Sequence, residues 1–178
     1  MGVPNASAVV KSVNPGVPGS FVEFVRAREA RLLDVAWLIT RNAEDAHDAV
    51  QDALVGLYAR WDKLPAGDEF EAYAYRSLVN ACLTVIRRRP RWLPVAEPAA
   101  LRSAPVTPDA AAGLAESDEV WRLCGELKPA QRTAVVLRFF ADRSFAEIAE
   151  ALGCREATAR SHVHRALAQL RSRLEEGQ

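Results

Sequence analysis

The sequence predicts an all-α protein: two small helical domains joined by a flexible linker, the second carrying a helix-turn-helix. Three observations lead there. Apolar residues recur at three- and four-residue spacing from Phe21 to about Pro90 and again from Asp118 to Leu174, the period of an amphipathic helix, and no β alternation competes with it. Between Trp92 and Ser117 stand Pro94, Pro98, Pro105 and Pro108 among Ala, Ser and Gly, which cannot continue a helix and offer little to bury. The expected organisation is therefore a tail over residues 1–20, a helical domain over 21–91, a linker over 92–117 and a second helical domain over 118–175.

In the first helix Phe21, Phe24, Val25, Leu32, Val35, Ala36 and Ile39 form the buried stripe. Asn42 then offers an N-cap for a helix from Ala43 to Trp61, with Ala46, Ala49, Val50, Ala53, Leu54, Leu57 and Trp61 inward. A third helix is expected over Glu69 to Arg89, with Phe70, Ala74, Ala81 and Val85 inward. In the second domain Ser144 and Glu147 have capping-box spacing, and Gly153 can take the left-handed conformation that ends a helix. A second helix follows within a few residues, from about Glu156 to Leu174, with Ala159, Val163, Ala166, Leu167 and Leu170 on its core stripe.

The chain has 178 residues, with 23 Lys+Arg against 23 Asp+Glu, so a uniformly basic nucleic-acid coat is excluded and any recognition must come from local charge segregation. That segregation is present. Residues 23–71 carry six basic and eleven acidic side chains. Residues 76–91 carry Arg76, Arg87, Arg88, Arg89 and Arg91 and no acid, and residues 155–174 carry five Arg against Glu156 alone. No apolar run approaches the ~20 residues of a membrane span, no secretory signal is evident, and the 3 cysteines have no Cys-x-x-Cys spacing, which fits a reducing cytosol. Each cysteine reads as a small buried hydrophobe.

Enzyme chemistry finds little support. Glu44 and His47 match the Glu-x-x-His spacing of carboxylate-bridged di-iron bundles, but the required second Glu-x-x-His is missing, so no metal and no cofactor are expected. Neither a phosphate-binding Gly loop nor a nucleophile elbow is present.

Three surfaces carry the binding argument. Glu44, Asp45, Asp48, Gln51 and Asp52 surround an exposed-looking Val55, an arrangement suited to a basic partner rather than to solvent alone. Arg76, Asn80 and Arg87 fall on a narrow arc of the third helix beside Arg88, flanked by Tyr73 and Tyr75, and suit phosphate contact with recognition of an unstacked base. On the last helix Arg160, Ser161, His164 and Arg165 oppose the core stripe, and Arg155 and Thr158 stand at its N-terminal approach. These side chains are of the types that reach base edges and phosphates in a major groove. The plainer readings are solvated charged faces and a helix end whose arginines complement its dipole.

Three motifs carry a family resemblance: Asn42-Ala-Glu-Asp-Ala-His-Asp-Ala-Val-Gln-Asp-Ala-Leu54 running on to Trp61; Ala72-Tyr-Ala-Tyr-Arg-Ser-Leu-Val-Asn80 with Arg87-Arg-Arg89; and Leu127-Lys-Pro-Ala-Gln-Arg-Thr-Ala-Val-Val-Leu-Arg-Phe-Phe140 with the helix-turn-helix and Arg165-Ala-Leu-Ala-Gln-Leu-Arg171. Together and in this order, over about residues 20–174, they resemble a bacterial extracytoplasmic-function (ECF) RNA polymerase sigma factor, SigE-like. The resemblance implies a cytoplasmic, non-enzymatic initiation factor that binds core RNA polymerase, at the β′ clamp helices and the β flap, and promoter DNA, with an anti-sigma factor as an optional further partner. It places Asp45, Asp48, Gln51, Asp52 and Val55 at the polymerase, Arg76, Asn80, Arg87 and Arg88 at the −10 element, and Arg155, Thr158, Arg160, Ser161, His164 and Arg165 at the −35 element. Thr84, where an acid is common, and His162 and His164, in place of more usual basic or aromatic residues, depart from the pattern. A linker of about 26 residues reaches at most ~85–95 Å, enough for two sites one and a half DNA turns, roughly 50 Å, apart. A stand-alone helix-turn-helix regulator would leave the acidic face and the Arg76–Asn80 stripe unemployed; a helical adaptor would make both basic surfaces incidental.

Overall fold

The computed structural model describes residues 20–64, 68–88 and 122–176, and every regular element among them is helical. Nearly all of the expected tail and the whole expected linker lie outside the described residues. In order, the helices are α1 (Phe21–Thr40), α2 (Ala43–Tyr58), α3 (Asp68–Arg88), α4 (Pro129–Val135), α5 (Phe145–Leu152) and α6 (Glu156–Glu176).

Local chemistry sets most helix ends. Ser20 opens α1 through a capping box with Glu23, and Asn42 opens α2 by accepting the Asp45 backbone N–H at 2.9 Å. Pro129 starts α4, where its missing N–H costs nothing. The Ser144–Glu147 box opens α5 as expected: the Glu147 N–H donates to Ser144 Oγ at 3.2 Å, and the Ser144 N–H donates to the Glu147 carboxylate at 2.7 Å. Burial opposes ionisation of Glu147, yet the Ser144 bonds and Arg143 prevail and hold its carboxyl below the usual range. That contribution is present at neutral pH and is lost as pH falls through the lowered value. Gly153 closes α5 at φ 63°, where an L side chain would be strained.

Two boundaries differ from the sequence reading. The second helix stops at Tyr58 instead of Trp61, and residues Trp61–Lys63 form a 3₁₀ turn. This turn sends the Trp61 ring into an aromatic cluster, 5.3 Å from Phe21, 5.8 Å from Phe24 and 5.5 Å from Phe70. Aromatic pairs contribute about 0.5–1.5 kcal/mol each beyond their buried area, which outweighs one more helical turn. The last helix runs two residues past Leu174, and Leu167, expected inside, is 41% exposed. Val136–Phe140 continue α4 as a π turn in which the Ala141 N–H reaches back to the Val136 carbonyl.

The first three helices pack around Val35, Ile39, Leu57, Leu78 and Val79. Each fully buried Leu or Ile contributes about 1.5–3 kcal/mol relative to exposure. On α3 the centre of the buried face is Leu78, Val79 and Cys82, while Ala81 and Val85, expected inward, are only half-buried.

The modules do not stand apart. Ala134, Val136, Leu137, Ile148, Ala149, Ala151, Ala159 and Val163 belong to the same buried cluster as the first-module core, and α3 packs against α5. Arg132, 6% exposed, crosses the junction: its Nε donates to the Ile39 carbonyl at 2.7 Å, and its Nη1 to Gly125 and Leu127 carbonyls of its own module, each at 3.1 Å. Burial first, then the neighbouring Arg41, push its guanidinium down to about 10, so it stays charged at neutral pH. Arg41 itself is buried at φ 59° with its guanidinium over Trp37, and its Nε and Nη1 have no hydrogen-bond partner among the described residues.

Cys82 and Cys124 are buried and Cys154 is half-buried, all three as free thiols. Burial pushes the Cys82 thiol up to about 12 and Cys124 up to about 11. Since the thiolate is the reactive species, titration with a thiol reagent at about pH 8 should label Cys154 in the native chain and the other two only on unfolding. Fast native labelling of all three would overturn that order.

Candidate nucleic-acid interface

The last helix carries its recognition candidates outward. Arg155, Thr158, Arg160, Ser161, His164 and Arg165 are all exposed, while Ala159, Val163, Ala166 and Leu170 hold the opposite face against α4 and α5. Arg160 is tethered: its guanidinium pairs with Glu156 one turn back and lies 4.4 Å over the Phe145 ring of α5. Ser161 Oγ donates to the Ala157 carbonyl at 2.9 Å. Thus one arginine is positioned by its module, whereas Arg165 extends further along the helix.

On α3, Arg76, Asn80, Arg87 and Arg88 are exposed. Arg87 folds back along its helix, with Nε donating to the Leu83 carbonyl at 3.1 Å and Nη2 to Thr84 Oγ1 at 3.3 Å, while Thr84 Oγ1 donates to the Asn80 carbonyl at 2.7 Å. Thr84 is thereby a brace between Asn80 and Arg87, a link that sequence spacing alone did not suggest. The flanking tyrosines behave differently from expectation. Tyr75 is 8% exposed and lies beneath the Arg143 guanidinium at 4.9 Å, and Tyr73 is half-buried with its hydroxyl accepting from Arg60 at 2.9 Å. Tyr75 is therefore closed to a stacking base, and the Tyr73 hydroxyl is already engaged.

The acidic face of α2 presents Asp48, Gln51 and Asp52 to solvent around Val55, 68% exposed, with Tyr58 exposed one turn on. Asp45 sits half-buried at the start of the helix, so it contributes less to this face than the sequence spacing suggested. Glu44 and His47 are both exposed; among the described residues no group of three or more His, Cys, Asp or Glu is placed to hold a metal ion. No helix among them is long and apolar enough to cross a membrane.

Two family descriptions match the chain: Sigma-70 region 2 over residues 24–91, and Sigma-70 region 4 over residues 117–170. Over 162 residues the chain is 36% identical to the RNA polymerase sigma-E factor of Streptomyces avermitilis, covering 87% of this chain and 85% of that one. The chain belongs to the ECF RNA polymerase sigma factors. The ECF sigma factor SigM of Mycobacterium tuberculosis is 32% identical over 152 residues, 85% of this chain and 75% of its relative. Among solved structures, the sigma factor RpoE of Bartonella quintana, in complex with the anti-sigma factor NepR, shares the fold at TM-score 0.68 and 22% identity over 87% of this chain and 96% of that one. In this sigma factor the region 2 match contains most of α1, all of α2 and α3, with the acidic face and the Arg76–Asn80 stripe, and the region 4 match contains α4, α5 and most of α6.

Proposed function

We propose that this sigma factor docks on core RNA polymerase through the acidic face of α2, contacts the −10 element through Arg76, Asn80, Arg87 and Arg88 of α3, and reads the −35 element with Arg155, Thr158, Arg160, Ser161, His164 and Arg165. The observation that carries the reading is the separation of opposite charge between helices: α2, which has no Lys or Arg, exposes Asp48, Gln51 and Asp52 around Val55, while α3 exposes Arg76, Arg87 and Arg88 and α6 exposes Arg160, Arg165, Arg171 and Arg173. Acidic side chains repel DNA and attract a basic protein surface; exposed Arg does the reverse.

The division of labour follows. The polymerase performs the phosphodiester chemistry in the cytoplasm; this chain supplies address and strand opening and is not itself a catalyst. Asn80 carries both donor and acceptor, so it can pair with the edge of a base drawn out of the stack, and Arg76 neutralises the adjoining phosphate. Extruding a base costs a few kcal/mol that such contacts must offset. Two individually weak DNA contacts on one polymerase gain effective concentration. An anti-sigma factor, as in the Bartonella complex, is a further candidate partner.

Charge reversal at Asp48 and Asp52 tests the docking arm. Affinity for core polymerase should fall, whereas helical content should hold, because exposed substitutions usually change stability by within about 0.5 kcal/mol. Unaltered core affinity in a titration would remove these residues from the interface.

A further inference from the structure

The polar stripe of α3 is longer than the residues assigned to it. Tyr73, Arg76, Asn80, Thr84 and Arg87 follow one another at spacings of three or four residues and so share one side of the helix. Each end of this stripe holds a guanidinium. At the C-terminal end Arg87 is folded back onto Thr84 and the Leu83 carbonyl. At the N-terminal end the guanidinium comes from another segment: Arg60 Nη1 donates to the Tyr73 hydroxyl at 2.9 Å. Arg60 falls within the helix that spacing predicts over 43–61, but α2 ends at Tyr58 and the 3₁₀ turn that follows sends Trp61 into the aromatic cluster, which leaves Arg60 beside α3. Its charge is not cancelled there. Arg76 pairs with Glu150 of α5 at 2.9 Å and Arg143 with Glu71 at 3.2 Å, whereas Arg60 is exposed and has no carboxylate partner among the described residues.

We infer that Arg60 is a further promoter contact, which binds a backbone phosphate of the strand that Asn80 reads, and that Tyr73 is the residue that positions it. The inference rests on the assignment of Asn80 to the −10 element. Tyr73 lies seven residues from Asn80, about 10 Å along the helix, so the two side chains are spaced to meet one strand. A site for an opened strand combines a base-reading group with cations that follow the backbone. The Tyr73 hydroxyl takes one N–H of a planar, many-donor fork and leaves the others for an oxyanion. Because that hydroxyl is neutral, it fixes the guanidinium without spending its charge. A side chain fixed before DNA arrives gives up less freedom on binding than one that is free in solvent. A phosphate carries no sequence information, so Arg60 adds affinity and register and leaves base choice to Asn80.

Holoenzyme assembled from core polymerase and the full chain tests this on a pre-melted promoter, with the half-saturating DNA concentration measured across a range of salt. Arg60→Ala should flatten the salt slope by about 0.7–0.9, the share of one phosphate, which amounts to about five- to eightfold weaker binding near 0.1 M salt. The loss should be the same for every single-base variant of the −10 element. Arg60→Lys should keep the slope, since the charge remains. Tyr73→Phe should weaken binding about two- to threefold in the parent and not at all in the Arg60→Ala background, because the hydroxyl acts through the guanidinium. Arg26→Ala removes an exposed arginine from α1 and should shift none of these readouts. An unchanged slope for Arg60→Ala, or an equal change from Arg26→Ala, would overturn the contact. Loss of affinity for core polymerase with the slope intact would place Arg60 on the docking surface and overturn it as well. An additive effect of Tyr73→Phe would overturn the positioning role. Full activity of Asn80→Ala on duplex and pre-melted promoters would instead remove the −10 assignment beneath the inference, and the Arg60→Ala slope would still report whether that guanidinium meets phosphate.

Discussion

Arg132→Met is expected to destabilise the chain by about 2–4 kcal/mol in urea unfolding. Methionine keeps most of the aliphatic packing but donates nothing, so the carbonyls of Ile39, Gly125 and Leu127 lose their shared donor in a buried place. Leaving buried acceptors unpaired costs about 1–3 kcal/mol each, partly returned here because the desolvated charge disappears with them. Arg132→Lys should also be destabilising, since an ammonium cannot span the two directions in which the guanidinium donates. The same variants should loosen the junction, because the Ile39 bond is made across it. A loss below about 1 kcal/mol for both would show that Arg132 neither holds the 125–127 turn nor joins the modules.

Arg160→Ala and Arg165→Ala are each expected to weaken binding to the promoter by about 1–3 kcal/mol, and to relax preference at a single position of the upstream element. The effect of Arg160 should be the more sharply confined, because Glu156 and Phe145 already fix its guanidinium before DNA arrives. Arg171 is exposed further along α6, and its loss should lower affinity evenly across sequences and flatten the salt dependence, the mark of a phosphate contact. A panel of single-base promoter variants assayed with each mutant separates the cases. Equal weakening of every promoter by Arg160→Ala and Arg165→Ala would mean that this face holds the backbone and reads no base.

The helices, their caps and their outward residues were legible because each depends on neighbours three or four positions away. Asn42, Ser144, Glu147 and Gly153 act within a turn of their own backbone, and the exposed set on α6 follows from a period of 3.6 residues. Distant partners were not legible. Trp61 leaves the helical register to meet Phe24 and Phe70, and Tyr75 is covered by Arg143, a residue 68 positions later. Glu71, Glu150, Arg143 and Arg132 carried no signal in the sequence, since each stands in an ordinary helical or capping context and acquires its role from a residue far along the chain.

Sequence by itself therefore determined the all-α class, the helix-turn-helix and which faces of α2, α3 and α6 point outward, since local hydrogen bonding and helical period decide these before any module meets another. Only the tertiary structure decided that the two modules share one core and that Arg76 faces Glu150. Such contacts depend on the relative placement of two surfaces separated by more than thirty residues of chain, and a helical pattern shows that a face is available without saying what comes to cover it.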